Sequence, residues 1–214
     1  MAVQHHLTFA RERRVASRGF NQAMKIYEDA FPLQERASRD VVADRIRSGR
    51  ERLMVGREGG DVVVMALVWP VTGFDYLLLD YVAVLDRMRG EGIGQDFVRF
   101  LFDKADEERK SVLLEIEDPE EGDDKGWRLG RVRFFRALGA KELRGVRCVL
   151  PPLQGNAPTG LRLLIYAKPA PKRLSGSFVR KLVSQVYQEV YGVRPNDPIM
   201  TVSIRNIGDE VVLG

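Results

Sequence analysis

The stretch that decides the fold is VAVLDRMRGEGIGQDF, Val82 to Phe97. It joins an apolar run to an amphipathic one, and Gly90, Gly92 and Gly94 take alternate positions between them. Glycine costs backbone entropy in any element interior, so this density points to a need for bare backbone. The usual need is an anion held by main-chain N–H groups at a helix N-terminus. Two phosphate loops can be set aside. A P-loop requires a Lys-Ser/Thr pair after its last glycine, and Gln95-Asp96 follow here. The dinucleotide fingerprint requires glycine at the sixth position of G-x-G-x-x-G, which counted from Gly90 is Gln95. What remains is Arg89-x-x-Gly92-x-Gly94, lying between a strand that ends at Val84 and a helix.

Working outward, residues 7–11 read as a first strand, and Ser17 to Ala30 as a helix with Phe20, Met24, Ile26, Tyr27 and Ala30 on one face, stopped by Pro32. A second helix is expected from the N-cap Ser38 to about Ser48. Runs 51–57, 61–69 and 76–84 read as an antiparallel meander, the first pair joined at Gly59-Gly60. Its third strand is almost wholly apolar, hence covered on both faces. After the glycines, Phe97, Phe100, Leu101 and Ala105 mark a helix reaching about Lys110, and 111–116 is the next strand, expected parallel to 76–84. A helix at about 126–138 ends at Gly139. Residues 146–150 and 161–168 read as a strand pair around the loop PPLQGNAPTG. The segment KPAPKRLSG reads as a linker, 177–191 as an amphipathic helix and 199–204 as one more strand. A helix of that length cannot bury its stripe alone, so the tail is expected to dock on the core or on a second subunit, and a homodimer follows as an expectation.

The motif and the order of elements together resemble the GNAT superfamily, the acyl-CoA-dependent N-acyltransferases. Its signature Q/R-x-x-G-x-G/A follows an apolar fourth strand and opens the third helix, and YVAVLDRMRGEGIG fits it without a gap. FFRALGA, 134–140, sits where that family has its fourth helix running into a glycine. The resemblance covers about residues 7–168. It implies an α/β (α+β) fold, a mixed and mostly antiparallel central sheet flanked by helices, in a catalytic domain over 1–168. Residues 169–214 are then a C-terminal extension.

The resemblance also implies an activity: direct transfer of an acetyl or other acyl group from acetyl-CoA to a primary amine of a small molecule or peptide, in a ternary complex and without a metal. The N–H groups from Arg89 through Gly90, Glu91, Gly92, Ile93 and Gly94, with Gln95 behind them, would cradle the coenzyme A pyrophosphate, backed by the positive end of the helix dipole. Arg87 or Arg89 would add charge or simply be solvated. In the family the fourth and fifth strands splay; pantetheine would pair with the backbone of Val82, Ala83 and Val84, and the N–H near Val84 would stabilise the oxyanion.

A carboxylate must take the ammonium proton before attack. Asp80 stands in an apolar strand with the parity of Val82 and Val84; its alternative role is a buried structural hydrogen bond. Glu35, in FPLQER, lies on the segment that roofs the acceptor site in the family, or else pairs with Arg36 or Arg39. Glu115, sharing a face with Glu117, occupies the place of a frequent family acid, or is merely exposed. The family often carries a Tyr on the fourth helix to protonate the departing thiolate. The matching residue here is Phe135, with Tyr81 and Tyr166 as possible substitutes.

Bulk composition is compatible with this reading and removes others. The 214 residues are 44% hydrophobic and 30% charged, enough for a real core. The net charge of +4 and pI near 9.3 come from 34 basic residues, 8 of them Lys. The Arg excess suits either phosphate recognition or a codon bias. Acidic residues are interspersed and no sustained basic block exists, so a nucleic-acid partner, suggested only by the pI, is not expected. Cys148 is the single cysteine, which excludes a disulfide framework or a cysteine metal cluster. His5 and His6 are the histidines, near a start expected to be mobile, which argues against a His-based metal site or a Ser-His triad. No run approaches ~18 apolar residues and no signal-peptide core opens the chain, so a cytoplasmic protein without a membrane partner is expected. The rival reading is a catalytically silent acyl-CoA-binding domain, for which Phe135 is the argument.

Overall fold

A computed structural model describes residues 5–121, 124–151 and 159–214, apart from the side chain of Gln34. The elements in chain order are β1 (Leu7–Glu12), α1 (Arg18–Ala30), α2 (Arg39–Arg47), β2 (Arg52–Glu58), β3 (Asp61–Pro70), β4 (Tyr76–Val84), α3 (Ile93–Glu107), β5 (Ser111–Glu117), α4 (Lys125–Ala137), β6 (Lys141–Leu150), β7 (Thr159–Tyr166), β8 (Arg173–Ser175), α5 (Gly176–Val190), α6 (Pro198–Arg205) and β9 (Glu210–Val212). One seven-stranded sheet has the order β1-β2-β3-β4-β5-β7-β6, and β8 and β9 form a second, two-stranded one. The pairs β1–β2, β2–β3, β5–β7 and β6–β7 are antiparallel. This is the mixed, mostly antiparallel sheet with flanking helices expected from the sequence.

The chain divides into two compact units, one formed by the residues up to Pro70 with Leu79–Lys104, the other by Val71–Leu78 with Ala105–Gly214. In the first unit, Ser17 and Ser38 cap α1 and α2 by accepting from the N–H groups of Phe20 and Val41. The helices bury Phe20, Ala23, Met24, Tyr27, Val42 and Ile46 against Leu53, Val55, Met65, Leu67 and Ala83 of the strands. Tyr81 of β4 and Leu85 just after it border the same cluster. On α3, Phe97 and Phe100 pack on Phe9 of β1, with ring centroids 5.3 and 5.1 Å away.

In the second unit, β5, β7 and β6 carry α5 and α6. Residues 199–204, expected as a strand, are helical. Thr201, Val202 and Ile204 are β-branched, but Asp197 accepts from the Ile199 N–H at 2.8 Å and Pro198 occupies the first turn. Capping plus a proline already fixed at helical φ outweighs a weak strand propensity. The presumed linker also contributes β8, which pairs with β9. The tail packs within this unit: Tyr187 of α5 donates to the Val149 carbonyl at 2.5 Å, the Val149 N–H reaches Ser203 of α6 at 3.0 Å, and Leu213 bridges to Leu143. Most of the loop PPLQGNAPTG lies outside the described residues.

Candidate active site

The loop after β4 is built by a sequence of small commitments. The Leu85 N–H is tied to the Val63 carbonyl on β3 at 2.8 Å, so by strand alternation the Val84 N–H points away from β3. A 3-10 turn, Asp86–Met88, follows; it buries Met88 and closes with the Arg89 N–H on the Asp86 carbonyl at 3.1 Å. Gly90 and Gly92 then take φ of +84° and +86°, the left-handed region that favours glycine. A Cβ on either would meet nothing within 4 Å, so the glycines serve backbone conformation and an open approach, not packing. At Gly94 a Cβ would stand 3.3 Å from Val84 Cγ2. The Gly92 carbonyl opens α3 by accepting from Gln95 and Asp96 at 2.9 and 3.1 Å.

The consequence is a row of N–H groups, Gly90, Glu91, Gly92, Ile93 and Gly94, that find no acceptor among the described residues. An anion would satisfy them, and the helix end supplies the matching partial charge. Arg89 is not part of that row, because its N–H closes the preceding turn. Its guanidinium also folds back, within 3.2 Å of Asp86 and 3.5 Å of the Val84 carbonyl. Arg87 and Glu91 are exposed, and Gln95 is half-buried.

His5 is better held than its place near the chain start suggested. Its Nδ1 lies 2.8 Å from Glu58 and its Nε2 3.0 Å from Glu91 of the glycine loop. The hydrogen bond to Glu58, aided by Glu91, raises the imidazole pKa against the effect of burial. Two carboxylates reach it from separate segments, which no local pattern in the sequence reveals.

Along β4, Val82 and Val84 are half-buried and Ala83 is buried. Asp80 lies about 13 Å of strand before Val84. Its neighbour is Glu51, fully buried just before β2. Neither Glu51 oxygen receives a hydrogen bond from a donor among the described residues, and the Asp80 carboxyl is the neighbouring acid whose charge acts on it. Burial is the main cause that raises both groups above the ordinary carboxylate range; Asp80 pushes Glu51 further, and Arg45 of α2 opposes both shifts. Asp80 is thus a partnered, desolvated acid. Sequence reasoning missed Glu51, since a glutamate next to a turn ordinarily faces water.

Burial, together with the charge of both carboxyls, raises the hydroxyl pKa values of Tyr27 and Tyr81. Their rings meet edge to face at 4.9 Å, Phe31 stands 4.8 Å from Tyr81, and the Arg36 guanidinium lies 5.8 Å from the Tyr27 ring. The Tyr81 hydroxyl donates to the Glu35 carbonyl at 2.8 Å, so this residue holds the α1–α2 connection through its backbone while its side chain is exposed. Arg36 donates to the Phe31 carbonyl and Arg39 to Asn21.

Glu115 belongs to the other unit, where it accepts from the Tyr191 hydroxyl. Glu117 on the same strand faces Arg128 and Arg131 at 3.4 and 3.3 Å. Phe135 is buried on α4 against Phe134. Of its possible substitutes, Tyr81 is engaged as above and Tyr166 donates to Asp106 at 2.8 Å. Among the described residues no group of three or more His, Cys, Asp or Glu could hold a metal ion.

Comparison with known proteins agrees with this fold. Among solved structures, a protein from Bacteroides thetaiotaomicron described as a GNAT-family acetyltransferase superposes with a TM-score of 0.73 at 15% identity, over 87% of this chain and 99% of that one. The ribosomal-protein-S18-alanine N-acetyltransferase of Escherichia coli gives 0.55 at 17% identity, over 74% and 92%. A GNAT acetyltransferase from Elizabethkingia anophelis with acetyl-CoA bound gives 0.53 at 10% identity, over 77% and 99%. At these identities the likeness shows the fold. No curated protein matches in sequence. The family model for the acetyltransferase (GNAT) family matches residues 20–138, more than half of the chain, from within α1 through the glycine loop to the end of α4, and the chain therefore belongs to the GNAT acetyltransferase family.

Proposed function

We propose that this protein is an enzyme that transfers an acetyl group from acetyl-CoA to a primary amine, carried on a small molecule or a peptide. The observation that carries the reading is the row of unpartnered N–H groups from Gly90 to Gly94 at the start of α3, at the end of a strand bearing a desolvated carboxyl. Those N–H groups fit the pyrophosphate of coenzyme A, with Arg87 and Gln95 beside them. Acetyl-CoA supplies the activated carbonyl.

The chain's own residues do the rest. The backbone of Val82, Ala83 and Val84 lines the thioester arm, and the Val84 N–H donates to the charge that develops on the carbonyl oxygen. Asp80 accepts the proton that the ammonium must lose. Glu35 attracts the cationic acceptor at the edge of the same unit, and Glu115, bound to Tyr191, is the alternative acid. With Phe135 in place of a tyrosine, the leaving thiolate takes its proton from the acceptor nitrogen or from water. Residues 1–168 form the catalytic domain in this proposal and 169–214 an extension that supports it, with a homodimer as the assembly. No helix among the described residues is long and apolar enough to cross a membrane; together with the single buried Cys148 this supports a cytoplasmic setting.

Calorimetric titration with acetyl-CoA tests the cofactor assignment. Wild type is expected to bind, and Gly92→Val to lose at least tenfold in affinity, because a side chain at +86° blocks the approach to the N–H row. The backbone strain costs the fold only about 1–2 kcal/mol, so the variant stays folded. Equal affinity in a folded Gly92→Val would remove the assignment.

A further inference from the structure

Glu51 has no part in the sequence argument, and its surroundings are unusual. Its side chain is fully buried, yet neither carboxyl oxygen has a donor among the described residues. Its own N–H is spent on the Arg45 carbonyl at 3.2 Å, which fixes where the side chain starts. The group it meets is the carboxyl of Asp80. Two ionised carboxylates in contact away from water repel each other, and the contact becomes a hydrogen bond when one proton lies between them. The titratable and charged groups around the pair are Tyr27 on α1, Arg45 on α2, Arg50 ahead of β2 and Tyr81 on β4. A single negative charge on the pair then balances the Arg45 guanidinium.

We propose that Glu51 and Asp80 form a carboxyl pair that holds one proton between them, and that Glu51 thereby positions and tunes Asp80 as the base that deprotonates the acceptor ammonium. The base role rests on the acyl-transfer reading given above. The singly protonated pair takes one proton from the ammonium and becomes neutral. The freed amine nitrogen attacks the thioester carbon, the C–N bond forms and the C–S bond breaks. A second proton leaves the nitrogen and ends on the coenzyme A sulfur. The pair then returns its extra proton to water, so one ammonium and one thioester give one amide, one thiol and one released proton. Burial, the largest cause, raises Asp80 to about 6 against the lowering by Arg45 and by Glu51, so the pair can exchange this proton near neutral pH.

Two measurements on the full-length protein test the inference. Infrared titration reads the C=O stretch of a protonated carboxyl directly. Wild type is expected to keep that band at neutral pH, and both Glu51→Gln and Asp80→Asn to lose it, since the new amide donates to the remaining carboxylate. The pH profile of kcat/KM is the second readout. Glu51→Gln exchanges the shared proton for a weaker amide donor, so the acidic limb should move to higher pH, with acetyl-CoA affinity unchanged. Asp80→Asn should lose about 10²–10⁴ in kcat, and Glu51→Asp, which restores a carboxyl, should recover part of the wild-type profile. Absence of the protonated band in wild type overturns the pair, even if the variants fail to fold. An unmoved acidic limb in folded Glu51→Gln overturns the tuning role. A wild type that shows the band but releases no thiol with any amine keeps the pair and overturns both its role as base and the acyl-transfer function.

Discussion

Glu51 and Asp80 show how a residue's meaning depends on what the fold places beside it. Asp80 stood out in the sequence because a lone carboxylate in YLLLDYVAV needs a reason. Glu51, in GRERLM, had no such contrast, yet it is the more deeply buried. The pair has a consequence for stability. Burial, the largest cause, raises Glu51 above the ordinary carboxylate range, so the native state holds a proton that the unfolded chain has released. Stability from this source is present at acid pH and falls as pH rises from the unfolded carboxylate value through the raised native one, by at most about 1.4 kcal/mol per pH unit. Glu51→Gln removes the titration, and its unfolding free energy should decline less than that of wild type between pH 5 and pH 8. Chemical denaturation at several pH values reads this, and parallel curves for the two proteins would contradict it. His5 adds a slope of the same sign. Its raised pKa gives stability that is complete below the unfolded histidine value and lost as pH rises through the native one.

At the scale of elements, what was legible followed the strength of the local signal. The glycine loop, the Gly59-Gly60 hairpin and the capped helices α1 and α2 each combine periodicity with a start or stop residue, and the structure has them where the sequence puts them. At 199–204 a helix stands where a strand is expected, because Asp197-Pro198 fixes the first turn of α6. The short pair β8–β9 carries no periodicity to detect, since each strand is three residues long. The cap of α6 is therefore an informative place to probe. Asp197→Ala should cost about 1 kcal/mol, read as a lower midpoint in urea with the slope unchanged. A neutral effect would mean that packing of α6 on β6, through Ser203 and the Val149 N–H, fixes the helix without its cap. The candidate site divides in the same way. The N–H row at 90–94 was legible because its three glycines fall within five residues of sequence. The engagement of Glu115 with Tyr191 and the clasp of His5 were not, because the partners lie 76 and 53 residues or more away.

For the whole molecule, the sequence placed the fold in the right family and left the tail open. In the structure the tail continues the packing of β6: Tyr187 is fully buried, and Leu182, Val183 and Val186 lie with it in the core. Truncation after Lys168 should therefore strip apolar cover from β6 and give a chain that melts without cooperativity or aggregates. A monomeric truncated protein with the wild-type melting curve would contradict this. The central claim, however, is the reaction. Continuous measurement of thiol release from acetyl-CoA, against a panel of primary amines and with the acetylated product identified by mass, tests it most directly. The account predicts amine-dependent release, one thiol for each amide, abolished by Gly92→Val and reduced about 10²–10⁴-fold by Asp80→Asn. Tight binding of acetyl-CoA with no amine-dependent thiol release would contradict it.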